Sequence, residues 1–194
     1  SQQRVINYKN RYLSEEKTWV VPVYRVGLLY LRYAEAVNRA GKPALAFAVL
    51  KTGVSAAVLS NNSIVPLSEK TPLAPYMDFT RDRFNAFAAS NTVNTRGVHS
   101  RGSGNVHNVA AYNIASQPDW TQQDSIIYVE DLIIKELALE TAFEGNRFHD
   151  LMRVAKRRND PAYLADRVAS RTGTLAPEIR AVLMNEEAWY LPSR

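Results

Sequence analysis

The sequence predicts a mainly α protein, built from helical hairpins separated by long loop insertions. Three observations carry this. Two long segments place apolar residues at spacings of three and four, the period of a helix face. Each ends at a glycine and is followed at once by a second helical segment, the pattern of two helices meeting across a tight turn. No segment of any length alternates with the period of a strand.

The first long helix lies in "VYRVGLLYLRYAEAVNRAG", about residues 23 to 40, where Val26, Leu29, Tyr30, Tyr33 and Val37 share a face. Gly41 ends it, and "KPALAFAVLKTGV" opens with Pro43, suited to a first helical turn, so that a hairpin spans about 23–52. Ala36, Ala40, Gly41 and Ala44 are small where the two helices must approach, and this arrangement resembles the turn of a tetratricopeptide unit. From about 60 to 121 the helical period is lost. Pro66, Pro72, Pro75 and Pro118 and the piece "SNTVNTRGVHSRGSGNVHN" predict a loop-rich insert, with one short helix near 78–89 supported by Phe79, Phe84 and Phe87. The cycle then repeats over about 125–158: a long helix over 125–144, a break at Gly145 and a shorter helix from Arg147 to Arg158. "NDPAYLADRVA" and "LAPEIRAVLMNEEAW" predict two more short helices, and Pro177 falls in the first turn of the latter.

Composition narrows the function. The 194 residues are 46% hydrophobic and 22% charged, which suits one globular unit able to bury a core. The 24 Lys+Arg exceed the 19 Asp+Glu by a formal +5, but the basic residues are dispersed apart from Lys156, Arg157 and Arg158. No recognition helix, zinc spacing or RNP-like aromatic motif accompanies them, so nucleic acid is not the expected partner. The absence of cysteine excludes disulfides, thiolate metal sites and a cysteine nucleophile. No run of about 18 apolar residues is present, and the opening "SQQRVINYKN" has no signal-peptide core.

The stretch "ELALETAFEGNRFHDLMR" poses the main chemical question. At about 100° per residue, Glu136, Glu140 and Glu144 drift by only about 40° from one to the next and form one stripe. Ile133, Leu137, Leu139 and Phe143 fall in the same broad arc, whereas Ile134 and Lys135 lie outside it. The acids therefore interrupt an apolar face and need ionic partners or a chemical purpose. Metal or acid–base chemistry at His149 and Asp150 lacks a His-x-x-x-His or Glu-x-x-His pair, so no metal site and no cofactor are expected. The favoured expectation is structural: the acids pair with arginines returned by the hairpin, such as Arg147 and Arg153, or with Arg25 and Arg32. In the insert, Gly97, Gly102 and Gly104 lack the Gly-Lys-Ser/Thr of a phosphate loop. Arg96, His99, Arg101 and His107 could nonetheless surround a polar ligand, which makes His99 and Arg101 binding candidates.

Together "YRVGLLYLRYAEAVNRAGKPALAFAVL", "RGVHSRGSGNV", "EDLIIKELALETAFEGNRFHDLMRVAKR" and the terminal "WYLP" resemble the SusD/RagB family of outer-membrane nutrient-binding lipoproteins. The most specific element is the run formed by Glu140, Glu144, Gly145, Arg147, Phe148, Asp150 and Leu151. Members of that family are longer, begin with a lipidated cysteine and carry helical repeats in their first half. The resemblance therefore implies that residues 1–194 form the C-terminal portion of such a domain, a SusD-like α/α superhelix.

What the resemblance implies is non-catalytic. The protein would capture an oligosaccharide or other nutrient on the surface of a Gram-negative outer membrane, held there by a lipid anchor outside this chain. Its partner would be a SusC-like TonB-dependent transporter. Capture of this kind needs aromatic faces for sugar rings and polar groups for hydroxyls. Trp120, in the polar segment "SQPDWTQQD", is the first candidate and Trp19 the second, while Trp189 is expected to anchor packing. The alternative is a tetratricopeptide-like protein–protein interaction module without a glycan ligand.

Overall fold

The computed structural model describes residues 26–51, 53–54, 56–70, 98 and 119–190. Over these residues the protein is mainly helical, and no strand occurs among them. The elements in chain order are α1 (Val26–Arg39), α2 (Pro43–Lys51), α3 (Ala56–Ser60), α4 (Leu67–Lys70), α5 (Gln122–Glu140), α6 (Arg147–Arg158), α7 (Pro161–Ala169) and α8 (Ala176–Leu183). Short 3₁₀ turns at Gly173–Leu175 and Glu186–Trp189 flank α8.

Local chemistry sets the helix ends. Gly41, at φ 79°, adopts the left-handed conformation that closes α1, and Pro43 opens α2. Thr121 caps α5 by accepting from the Asp124 N–H, and the Asp124 carboxylate accepts from the Thr121 N–H at 2.9 Å in return. The Thr121 hydroxyl and N–H thereby hold the Asp124 carboxyl below its ordinary range. α2 is capped from a distance: Glu69 of α4 accepts from the N–H groups of Ala44 and Leu45 at 3.2 and 2.8 Å. Burial nevertheless pushes the Glu69 carboxyl up, against those two hydrogen bonds.

Packing follows the two hairpins. α1 packs against α2 and α5, α2 also meets α5, α6 lies between α5 and α7, and α8 rests on α7. One core runs through all of them, from Leu31 and Val37 of α1 and Leu45 and Val49 of α2 to Ile133 and Leu137 of α5. Leu151, Val154, Leu164 and Trp189 extend it to the C-terminal helices. The Trp189 indole is buried and donates to the Leu183 carbonyl at 2.7 Å, as expected of a packing anchor. Asn38 ties α1 to α5 by donating to the Ile126 carbonyl at 2.9 Å.

Both ends of α5 and one element of the insert depart from the sequence expectation. α5 begins at Gln122, not near 125, because the Thr121–Asp124 capping box supplies an earlier start. It ends at Glu140, before Glu144, because the Thr141 hydroxyl bonds back to the Leu137 carbonyl at 2.6 Å and Phe143 and Gly145 both take positive φ. The insert contains the short helix α4 and the turn before it, which prolines and serines made illegible as helix. The helix expected near 78–89 lies outside the described residues, as does the start of the first helix at 23–25.

Candidate functional site

The acid stripe is graded from core to solvent. Glu136 is buried, Glu140 is half-buried against Gly27 of α1, and Glu144 is exposed in the turn beyond the helix. A Cβ on Gly27 would sit 3.2 Å from Glu140 Oε1, so the missing side chain permits this approach. The arc around the stripe is not wholly apolar interior: Leu139 and Phe143 are 69% and 70% exposed, while Ile134, placed outside the arc by the wheel, is buried. α1, α2 and α6 surround α5 on several sides, and this enclosure decides burial in place of a single face.

The deeply buried acids are others. Glu35 of α1, Glu130 of α5 and Asp150 of α6 are 3%, 1% and 2% exposed. Arg153 donates to Glu35 at 3.1 Å and to Asp150 at 2.9 Å, joining α6 to α1. Arg32 lies 2.8 Å from Asp150 and 3.3 Å from Glu35, and Arg39 also pairs with Glu35. Around Glu130, Arg157 forms a close ion pair, and Arg158 donates from Nε at 2.8 Å. Arg158 also reaches Asp131 at 3.0 Å and so bridges two neighbouring acids of α5. Burial pushes the Arg153 and Arg157 guanidinium groups below their ordinary range. Through these arginine donors the buried carboxylates link α1, α5 and α6.

Of the expected ion-pair residues, Arg153 and Arg32 thus meet Glu35 and Asp150, and Arg147 donates to the Ile134 carbonyl at 2.6 Å. Sequence reasoning passed over Glu35 and Glu130. Both break an apolar helix face, Glu35 beside Leu31 and Ala34 and Glu130 beside Val129 and Ile133, so the test applied to the Glu136 stripe would have found them.

Asp131 also binds Tyr163, whose hydroxyl donates to it at 2.8 Å, while Arg167 and Arg158 lie 3.5 and 4.6 Å from the ring centroid. Burial, then the Asp131 charge and hydrogen bond, push the Tyr163 phenol up to about 12, although the two arginines oppose this. A raised phenol pKa favours the fold while the group is neutral. The contribution is present in full below about pH 10 and lost as pH rises through about 12, on the order of 2–3 kcal/mol in all. Denaturant titrations between pH 9 and 12 should show this fall, and Tyr163→Phe should remove it. A pH dependence unchanged in Tyr163→Phe would refute the assignment.

The binding candidates separate. Trp120 is half-buried just before α5, its ring 5.0 Å from that of Tyr128 at 55°. It is therefore less exposed than its polar surroundings suggested, because Tyr128 two turns along α5 covers one side. Asp119, Gln122 and Gln123 are exposed around it, and Gln122 donates to the Gly41 carbonyl at 2.9 Å, joining this edge to the first hairpin turn. Trp19, His99 and Arg101 lie outside the described residues. Among the described residues no group of three or more His, Asp or Glu is placed to hold a metal, and no helix is long and apolar enough to cross a membrane. Compared with protein-family models, with curated proteins and with solved structures, the chain matches none.

Proposed function

We propose that the protein is a non-catalytic, glycan- or nutrient-binding component of a SusCD-like uptake system on the outer surface of a Gram-negative cell, acting with a SusC-like TonB-dependent transporter. Tetratricopeptide-like helical hairpins would provide its scaffold. The observation that carries this reading is the Trp120–Tyr128 pair. It offers a partly exposed aromatic face held by a ring beneath it and bordered by the exposed Asp119 and Gln123. An aromatic face suits the apolar face of a sugar ring, and amides and carboxylates suit its hydroxyls. The buried carboxylates support a binding role over acid–base chemistry, since Glu35, Glu130 and Asp150 are enclosed by arginines.

A glycan array followed by calorimetry on the best ligand tests this. Trp120→Ala should weaken binding about five- to tenfold, with a stability loss of about 1–2 kcal/mol from its half-buried ring. Unchanged affinity in Trp120→Ala would remove the platform from the site. The second reading, a peptide-binding module, is favoured by the exposed Leu139 and Phe143 where α5 gives way to the turn before α6. A peptide panel run beside the glycan array separates the two: binding of peptides alone would replace the capture reading.

A further inference from the structure

We propose that the cleft between α6 and α7 binds a small molecule bearing an oxyanion, namely a carboxylate, sulfate or phosphate group. The cleft has a volume of about 440 Å³, and its lining includes Arg147, Arg167 and Arg171 together with Phe148, Leu151 and Ser170, with no carboxylate among the described residues that line it. Its size matches small-molecule sites.

The arrangement of arginines carries the inference. Arg32, Arg39, Arg153, Arg157, Arg158, Arg167 and Arg180 each have a carboxylate oxygen within 4 Å among the described residues. Arg147 and Arg171 have none there, and both face this cleft. Arg167, the third, reaches Asp131 only at 3.8 Å and is held in place by donating to the Tyr163 carbonyl at 3.0 Å. Arg167 lies in the last turn of α7, where positive charge complements the helix dipole, and Arg171 follows two residues beyond its end, but Arg147 opens α6, where the dipole opposes it. Burial, followed among the opposing charges by Arg171 and Arg167, lowers the Arg147 pKa, with Tyr163 and Asp150 acting the other way.

Three cations thus converge on a partly desolvated cleft whose lining, among the described residues, holds no carboxylate, and only Arg167 of the three has an acid within 4 Å, Asp131 at 3.8 Å. An oxyanion supplies their neutralisation through charge-assisted, two-pronged hydrogen bonds. The Ser170 and Thr172 hydroxyls already donate to the Arg167 and Ala169 carbonyls at 3.0 and 2.8 Å, which leaves recognition of the anion to the guanidinium groups. Phe148 and Leu151 offer an apolar wall to the body of the ligand. The site shares no residue with the Trp120 platform and does not depend on it.

Calorimetric titration of the 194-residue chain with inorganic phosphate, sulfate and glucuronate at low ionic strength, with glucose as the neutral control, tests the proposal. At least one oxyanion should bind saturably with Kd of about 1 mM or tighter. Arg171→Gln, on an exposed side chain, should weaken it about fivefold or more, and Arg171→Glu should abolish it, whereas Arg180→Gln should stay within about twofold. Phosphate binding as tightly as glucuronate would mark a free inorganic ion as the ligand. Tighter glucuronate, weakened by Phe148→Ala, would mark an acid carried on a ring. The proposal is overturned if none of the three anions binds up to about 10 mM, or if both Arg171 variants keep wild-type affinity.

Discussion

Glu130→Ala lowers the unfolding free energy by about 2–3 kcal/mol, less than the full cost of an uncompensated buried charge because the arginines left behind are partly exposed. Glu130 is 1% exposed and gathers Arg157 and Arg158 from α6, with Arg39 of α1 at 3.9 Å. Removing its carboxylate leaves those guanidinium groups facing one another at the junction of three helices. Urea unfolding followed by circular dichroism reads the loss, with Glu178→Ala on the exposed face of α8 as a control within about 0.5 kcal/mol. Arg158→Met in the same background should recover part of the loss, giving a coupling of about 1 kcal/mol or more. Equal stabilities for wild type and Glu130→Ala would show that the ion pairs do not hold the fold together.

Ile133→Ala costs about 3–4 kcal/mol by a different route. Its side chain is fully buried at the centre of α5, which α1, α2 and α6 all contact, so truncation leaves a cavity that neighbours on several helices cannot jointly close. For a chain of this size the melting temperature should fall by roughly 10 °C. Leu139→Ala, on the same helix but 69% exposed, should change stability by less than about 1 kcal/mol. Calorimetry of the two variants distinguishes them, and comparable losses would contradict the burial described for α5.

The two differ in how far sequence could find them. Ile133 belongs to a three-and-four-spaced apolar pattern, and α6 runs from Arg147 to Arg158 as its flanking Gly145 and Asn159 dictate. Glu130, next to Asp131, interrupts an apolar face that sequence can show, but its partners lie 27 and 28 residues away on another helix. The three acids of the Glu136 stripe repeat along the helix, yet burial follows enclosure by other helices and not repetition. At the binding candidates the limit was similar. "DWTQQD" marks Trp120 as an aromatic in polar company, but the Tyr128 ring that covers part of it is a neighbour only once α5 has formed.

Local sequence sets the helical class, the turns at Gly41 and Gly145, and the helix starts near Pro43 and Pro177, because these depend on backbone conformation and on periodicity within a few residues. Tertiary structure alone decided which acids are buried, which arginines neutralise them, and that Glu69 caps α2 from another helix. It also brings Arg147 and Arg171 together at a cleft whose described lining holds no carboxylate. Charges interact through space over a few ångströms, and chain position does not encode that distance until the hairpins pack.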